Sequence, residues 1–529
     1  MSEPRIGKIE GLSDADLATV NDLLDRLAAK RPRNLVRAQY YDGKRALKQM
    51  SKVVPPHYNQ LGIVLGWNAK AVDLLARRCN LDGFAWPDGD LDSLGYPEVW
   101  EDNQLGAATD EGTISALIHS TAFVVTSVGV GDEPDALVQF APALNATGEW
   151  NPRTRRLDSF LWVTRREKRD DKGDAIVEFV LYLPGVTILC AKNAKGAWAV
   201  TDRQDHDYGM PAEPLPYHPR LLRPFGSSRI SRATMGLQDA AVRTLVRLEG
   251  HMDVYAYPEF WMLGADSSIF GDQTRWQVML GRIKGIPDDE TLTNPRADVK
   301  QFTASSPEPH LADLNALAKL FCRESALPDS SLAITDLANP TSADAYDASQ
   351  YDLIAEAEGA TDEWTPALQR AMVRALAMKN TEPNVPDAWR TIAPQWRDPR
   401  FLSRAAEADA GMKQLTAVPW LAETEVGLDL LGLTPQQKAQ ALGERRRARS
   451  QEMLTTLAQA APVETALDVA DSEADDIKAK ADAMGILIRS GVDPQSAAAR
   501  VGLDGLTFTG AVPVSLRQPE QDAAELEER

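Results

Sequence analysis

Residues 223–258 read RPFGSSRISRATMGLQDAAVRTLVRLEGHMDVYAYP and decide how this chain is built. From Ser228 to about Tyr255, apolar residues recur at steps of three and four, which predicts one amphipathic helix that ends before Pro258. At a rise of 1.5 Å per residue it is about 40 Å long, against a typical helix of ~11–12 residues. Its flanks are proline-rich and irregular, so we expect neighbouring copies of the chain to cover its apolar stripe. The predicted contact residues are Ile230, Leu237, Ala241, Leu245 and Leu248.

A second helix is predicted shortly after the first. Residues 258–308 contain many Gly, Pro and Asp residues and are expected to be irregular. Pro309 then opens a helix with apolar positions at Leu311, Leu314, Leu317, Phe321 and Cys322. The two helices therefore bracket an insert of about 50 residues, far longer than the commonest connections of ~2–6 residues.

The sequence on the N-terminal side predicts a helix followed by antiparallel strands. Ser13 and Asp16 form a possible capping box, and a helix is expected over about residues 13–30, ended by Arg31-Pro32. A further helix reaches Cys79, and LDGF then begins a strand-like region. Runs of β-branched and aromatic residues between Phe123 and Val200 predict a mostly antiparallel sheet region. Five prolines between residues 211 and 224 predict an extended connector.

On the C-terminal side, a polar loop precedes a largely helical remainder. The loop PDSSLAITDLANP covers residues 328–340, and Pro340-Thr341-Ser342 starts a helix. Acidic stretches lie at about 462–476 and 518–529.

The charge balance argues against a protein that grips nucleic acid tightly. Lys and Arg total 57 against 77 Asp and Glu, a formal net charge of −20. Tight phosphate binding depends on many cations that release counterions, whereas an acidic wall lets a duplex slide past. The sequence predicts neither a secretion signal nor a membrane segment, and its three cysteines form no CxxC pair.

Motifs of catalysis, nucleotide binding and metal binding are missing from the sequence, so we predict no catalytic residue, no cofactor and no metal. Asp88, Asp90 and Asp92 imitate the start of a calcium loop, but Ser93 and Val99 stand where Gly and Glu are needed. A polar loop, Asp202 with Asp205–Asp207, could gather around a divalent ion, but is more often only solvated. The arginines at 445–447 and 449 could touch DNA, although a salt-bridged surface is the simpler interpretation.

The order of these elements resembles the portal proteins of long-tailed bacteriophages. The strings that carry the resemblance are YYDGKRAL (40–47), LDGF (81–84), RPFGSSRI (223–230), NPTSADA (339–345) and DAMGILIRSGVDPQSAAARVGL (482–503). No single string is diagnostic, and the resemblance depends on their order and spacing. It implies an α+β portal fold with an α/β wing, long stem helices, a small clip insert and a helical C-terminal crown.

The resemblance also assigns each part of the chain. It implies a wing over residues 1–225, a stem helix over 226–257, a clip over 258–308, a second stem helix over 309–327 and a tunnel loop over 328–340. Residues 341–415 would form the wing helix and its connection to the crown, 416–515 the crown, and 516–529 an acidic tail.

The function that the resemblance implies is a ring at one capsid vertex, assembled in the host cytoplasm, through which double-stranded DNA is packaged and ejected. A ring of about twelve stem helices spaced roughly 10 Å apart leaves an opening on the order of 25–30 Å, wide enough for a duplex. Expected partners are further copies of the chain, the terminase large subunit, the head–tail adaptor, the major capsid protein and the scaffolding protein. In the tunnel loop, polar contact with DNA is expected from Ser330, Ser331, Thr335 and Asn339.

Two alternatives stay open from the sequence. The chain could be a different ring or adaptor of a phage particle, although small adaptors lack room for all these parts. It could also be an acidic cytoplasmic enzyme whose site carries no recognised motif.

Overall fold

The computed structural model describes residues 5–44, 62–169, 173–255, 260–263, 283–286, 298–301, 305–332, 348–383, 385–400, 404–433, 435–459, 480, 483–488 and 494–502. The chain divides into two compact units, Met1–Phe401 and Leu402–Arg529. Helices and sheets both contribute to the first unit, which confirms the predicted α+β class.

The first unit contains helices and strands in irregular alternation. Its helices are α1 (Asp14–Tyr41), α2 (Trp67–Ala76), α3 (Tyr96–Asp102), α4 (Leu105–His119), α5 (Arg232–Tyr255), α6 (Glu308–Glu324) and α7 (Tyr351–Lys379). Its strands before α5 are β1 (Leu81–Ala85), β2 (Thr121–Val128), β3 (Ala136–Pro142), β4 (Ala146–Asn151), β5 (Arg156–Arg169), β6 (Gly173–Leu183), β7 (Val186–Lys192), β8 (Trp198–Asp205) and β9 (Ala212–Pro216). Those after it are β10 (Phe260–Leu263), β11 (Ile283–Ile286), β12 (Asp298–Gln301) and β13 (Ala393–Trp396).

The described part of the second unit is helical. Its helices are α8 (Arg404–Ala417), α9 (Glu425–Leu430), α10 (Pro435–Gln459) and α11 (Pro494–Val501). The arginines at 445–447 and 449 lie on α10 with their side chains exposed.

Two antiparallel sheets confirm the predicted β region. Strands β4 to β8 form a five-stranded meander, and β3, β2 and β9 form a second sheet with β2 in the centre. Buried aromatic side chains pack between the two sheets, with the ring centroids of Phe123 and Phe160 4.7 Å apart. The other face of the meander packs against α1 through residues such as Leu24 and Phe179.

The proline-rich segment forms a strand where we expected only an extended connector. Residues 212–216 pair with β2 in the register Thr121↔Pro216 and Phe123↔Pro214. Because β9 is an edge strand, its prolines remove no ladder hydrogen bond from a further strand. The prolines therefore place β9 at the edge without preventing pairing.

The first helix begins where predicted but runs past its proline. Ser13 caps it, since the Ser13 Oγ accepts a hydrogen bond from the Asp16 N–H at 3.1 Å. The prediction that Pro32 ends the helix is wrong, because tertiary contacts hold the next two turns. The Asn34 side chain donates to the Ala143 carbonyl at 3.0 Å, and the Tyr40 hydroxyl donates to Asp239 at 2.8 Å.

The insert between α5 and α6 contains regular structure that its composition did not predict. Strand β10 pairs in parallel with β11 and antiparallel with β12. The prediction of a wholly irregular insert is therefore wrong for these three strands. The remaining residues between 256 and 304 lie outside the described residues.

The main core lies where α2, α4 and α7 meet β2, α5 and α6. Cys79 and Cys322 are buried in it, and Trp364 is its largest fully buried side chain. Within the described residues, helices long and apolar enough to span a membrane are absent.

Two glycines flanking the start of α5 give opposite predictions. Gly226 has a φ of +69°, and a Cβ there would lie 2.1 Å from the Tyr217 carbonyl oxygen. Gly226→Ala should lower the free energy of unfolding by roughly 2–4 kcal/mol, because the backbone must shift. Gly236 is exposed within α5 and meets open space, so Gly236→Ala should raise it by about 1 kcal/mol. Urea unfolding of both variants tests this, and equal effects would contradict it.

Candidate functional site in the paired long helices and their junction

Helices α5 and α6 form an antiparallel pair. Three contacts join the two segments: Arg229 with Ser325, Thr244 with Asp313, and His251 with Ser305. Residue numbers increase along the first segment and decrease along the second, so the chain directions are opposite. The Thr244 hydroxyl donates to the Asp313 carboxylate at 2.7 Å, and a His251 ring nitrogen lies 2.9 Å from the Ser305 carbonyl oxygen. At 1.5 Å per residue the 24 residues of α5 extend about 36 Å, close to the predicted length.

The predicted stripe on α5 is largely covered by its own chain. Ile230 and Ala241 have no exposed surface, and Leu237 and Leu245 pack half-buried against the same core. Leu248 is also half-buried. From the sequence we expected neighbouring copies to cover this stripe, but α2 and α6 pack against α5 and supply much of the cover.

Apolar surface remains exposed at other positions of the pair. Met252 and Tyr255, in the last turns of α5, are 47% and 40% exposed. On α6, Leu320 is 50% exposed and Leu311 38%. These four large apolar side chains of the helix pair are therefore only partly covered by their own chain.

Buried Arg229 joins the start of α5 to the rest of the unit. Its guanidinium donates to the Ala71 carbonyl at 2.7 Å, the Ser325 carbonyl at 2.5 Å and the Tyr217 hydroxyl at 2.9 Å. Its side chain is only 3% exposed, and the Glu356 carboxylate of α7 lies 3.7 Å away. We call Tyr217, His218, Arg229, Ser325 and Glu356 the junction.

Hydrogen bonds to Glu356 control the electrostatics of the junction. Tyr217 donates to Glu356 Oε2 at 2.7 Å, and His218 Nε2 lies 3.1 Å from the same oxygen. Burial alone would raise the pKa of Glu356, but the hydrogen bonds from His218 and Tyr217, together with the charges of His218 and Arg229, lower that pKa to about 2. The hydrogen bond to Glu356 also raises the pKa of His218 above its ordinary value.

The end of α6 is fixed by backbone geometry as well. The Leu327 N–H donates to the Cys322 carbonyl at 2.9 Å, and Ala326 has a φ of +49°. This is the pattern of a Schellman cap, in which the left-handed position is usually Gly. The chain therefore leaves α6 in a fixed direction.

A second buried ion pair ties β9 to α7. Arg374 and Arg370 each donate to Glu213, at 2.7 and 2.8 Å, and Arg374 also donates to the Thr126 hydroxyl at 3.2 Å. Burial lowers the pKa of Arg374, while Glu213 acts in the opposite direction. The pair explains why the edge strand β9 carries a buried glutamate.

The predicted tunnel-loop residues are only partly within the described residues. Ser330 and Ser331 belong to a short 3-10 helix, Asp329–Ser331, with Ser330 exposed. The Lys70 ammonium group donates to the Ser331 carbonyl. Thr335 and Asn339 lie outside the described residues.

The two aspartate-rich loops that the sequence analysis considered as metal sites form local contacts. Asp90 accepts a hydrogen bond from the Asp92 N–H at 3.0 Å, and Arg203 pairs with Asp205 at 3.1 Å. Across the described ranges, no group of three or more His, Cys, Asp or Glu residues could hold a metal ion.

The junction was not predicted from the sequence, although the string RPFGSSRI contains Arg229. A charged residue between Ser228 and buried Ile230 is the only local signal at Arg229. Two of the groups that accept hydrogen bonds from Arg229, the carbonyls of Ala71 and Ser325, lie 158 and 96 residues away in the sequence. No local pattern could have brought them together.

The sequence is similar to known proteins over most of its length. Residues 21–426 match the family described as phage portal protein, SPP1 Gp6-like. The portal protein of Mycobacterium phage L5 is 28% identical over 386 residues, which cover 71% of this chain and 77% of that protein. The portal protein of Mycobacterium phage D29 is 27% identical with the same coverage.

The junction predicts a defined pH dependence of stability. The raised pKa of His218 gives a contribution that is complete below the ordinary value of 6.5 and is lost as pH rises through the raised value. The lowered pKa of Glu356 gives one that is complete above 4.5 and is lost as pH falls towards about 2. The stability lost in His218→Gln should therefore be largest between these two ordinary values and shrink at alkaline pH.

Urea unfolding of the wild type and of His218→Gln across this pH range measures that difference. The double variant His218→Gln/Glu356→Gln is the control, since it removes both titrating groups. A difference that stays constant from acid to alkaline pH would show that His218 contributes packing only.

Proposed function

Because the chain belongs to the SPP1 Gp6-like family of phage portal proteins, whose role is DNA packaging, we propose that it forms a closed ring at one capsid vertex. Double-stranded DNA enters the capsid through this ring and later leaves through it. The observation that carries the proposal is the long antiparallel pair of α5 and α6, which brackets a separate insert and exposes apolar side chains. Proteins of this family are structural rather than catalytic and are components of the virion.

The proposed division of the chain follows the family layout. Residues 1–225 form the wing, 226–257 and 309–327 the two stem helices, and 258–308 the clip between them. Residues 328–340 form the tunnel loop and 341–415 the wing helix with its connection onwards. Residues 416–515 form the crown, and 516–529 an acidic tail. The helices α5 and α6, and strands β10 to β12 of the insert, support the assignment of stem and clip.

Contacts between subunits are proposed along the stem helices. Ile230, Leu237, Ala241, Leu245 and Leu248 contribute by holding α5 against its own chain, since most of this stripe is inside it. Met252, Tyr255 and Leu320 supply the exposed apolar surface that the next subunit covers. A ring of about twelve copies fits this arrangement, because side-by-side packing repeats one heterologous contact until the ring closes.

Partners are proposed from the same layout. The clip binds the terminase large subunit during packaging and the head–tail adaptor afterwards. The wing and crown meet the major capsid protein and the scaffolding protein. The net charge of −20 supports sliding rather than gripping of the passing duplex.

Ring formation is the first test of the proposal. Purified protein should form closed rings without nucleotide, metal or DNA, as seen by mass photometry and negative-stain images. Leu320→Asp and Met252→Asp should reduce the rings to single folded chains, because a charge would be buried without a partner. Val130→Asp, at a valine 61% exposed beside β2, is the control and should leave rings intact.

Leu245→Asp distinguishes an apolar residue that packs inside its own chain from one that contacts the next subunit. Leu245 packs against the core of its own chain, so this change should lower the free energy of unfolding by roughly 2–4 kcal/mol. Stable single chains from Leu245→Asp, or rings from Leu320→Asp, would contradict the proposed contacts.

The tunnel loop gives the second test. Residues 328–340 contain no Lys or Arg, so contact of Ser330, Ser331, Thr335 and Asn339 with DNA is steric or weakly polar. Shortening the loop between residues 333 and 339 should leave rings intact and reduce the DNA that particles retain. The measurement is the length of DNA recovered from such particles, with images of the rings as the control. DNA of normal length in these particles would contradict a role of the loop in retaining DNA.

A further inference from the structure

A cavity of about 1010 Å³ lies between α1, the start of β2 and the segment that leads into α5. Its lining contains six cationic side chains and no Asp or Glu, in a chain with a net charge of −20. The cations are Arg26, Lys30, Arg33, Arg37, Arg223 and Arg232. We call this cavity the basic pocket.

Most of these cations have no acidic partner. Arg26 lies 3.6 Å from Glu149 and donates to the Gly148 carbonyl at 2.8 Å. In the described part of the chain, the other five cations form no ion pair. Burial, together with the nearby charges of Arg33 and Arg223, lowers the pKa of Arg37 to about 10. Like charges are therefore held close together, and among the described residues only Arg26 has a carboxylate partner.

Two side chains in the pocket wall each have one buried polar atom that forms no hydrogen bond with the described residues. His119 is only 8% exposed, and its Nε2 has no hydrogen-bond partner in the described part of the chain, while its Nδ1 lies 3.3 Å from the Ser115 hydroxyl oxygen. The Ser227 hydroxyl is also buried, and none of the residues that the structure describes forms a hydrogen bond with it. Burial lowers the pKa of His119 to about 4, so the ring is neutral at pH 7 and can donate one N–H. Each group is a donor available to a ligand oxygen in the pocket.

The first turn of α5 completes the wall. Ser231, Arg232 and Met235 line the pocket, and the Ser231 Oγ caps the helix by accepting from the Thr234 N–H at 3.1 Å. The start of a 24-residue helix carries a partial positive charge, which favours a bound anion. The start of the helix, the cations and the buried donors therefore all favour a bound anion.

We propose that the basic pocket binds a ligand carrying several phosphate groups. Five of the six cations are arginines, whose planar forks bind phosphate oxygens in pairs. A phosphate group carries up to about two negative charges, so a short oligophosphate neutralises this density of cations in less space than carboxylates can. The same chemistry is offered by a free oligophosphate and by the backbone of one nucleic-acid strand.

Isothermal titration of the full-length protein with inorganic tripolyphosphate tests the proposal. Binding of one ligand per subunit is expected, with affinity falling as salt rises. Arg33→Gln/Arg223→Gln should weaken binding at least about tenfold, and His119→Phe should weaken it severalfold. Arg77→Gln/Arg153→Gln, which changes two exposed arginines outside the pocket, should leave the affinity unchanged. Unchanged unfolding midpoints would confirm that the variants are folded.

Two further measurements identify the source of the phosphate groups and test whether the ligand carries carboxylates instead. A single-stranded oligothymidylate of about ten nucleotides that competes with tripolyphosphate would support the proposal and identify the backbone as the source. Tripolyphosphate binding without such competition would support a free oligophosphate. Absence of binding, or equal binding by Arg33→Gln/Arg223→Gln, would overturn the proposal. Tighter binding of an oligoglutamate peptide, lost in the same variant, would overturn it in favour of a carboxylate ligand.

Discussion

The constraint on which the structure depends is the need to satisfy one buried guanidinium. Arg229 is removed from water, and an unpaired charge at that depth would cost several kcal/mol. It is satisfied only when α2, the end of β9, the end of α6 and α7 all present their oxygens together. A correct arrangement of these four elements is therefore favoured over any arrangement that omits one of them.

The geometry next to Arg229 follows from that requirement. Gly226 lets the chain turn close beneath the Tyr217 carbonyl, so that the Ser227 N–H donates to it at 2.7 Å. The Ser228 hydroxyl then donates to the Ile118 carbonyl at 2.6 Å, and α5 starts four residues later. The direction of α5 is thus set by the backbone of α4 and β9 rather than by contacts along α5 alone.

The elements whose apolar spacing is regular could be predicted from the sequence, whereas contacts between distant segments could not. Periodicity indicated α5 and α6, and β-branched runs indicated the strands from β2 to β7. The continuation of α1 past Pro32 depends on the Ala143 carbonyl, which lies 109 residues from its partner Asn34. The same limit hid the own-chain cover of the α5 stripe, because amphipathicity reports that a face is buried and does not report which molecule buries it. The cations of the basic pocket come from two stretches, residues 26–37 and 223–232, which lie nearly 190 residues apart and meet only in the folded chain.

The antiparallel pair also has a mechanical consequence. Both helices are anchored at the same end, where Arg229 bonds to the carbonyl of Ser325, and the insert is attached at the other end. Helical hydrogen bonds run nearly parallel to the axis, so the pair resists compression and extension along its length more than bending. A push on residues 258–308 along the axes is therefore carried as axial load to the junction. A sideways push is resisted along α5 as well as at the junction, because Ala241 and Leu245 pack against the core of the same unit.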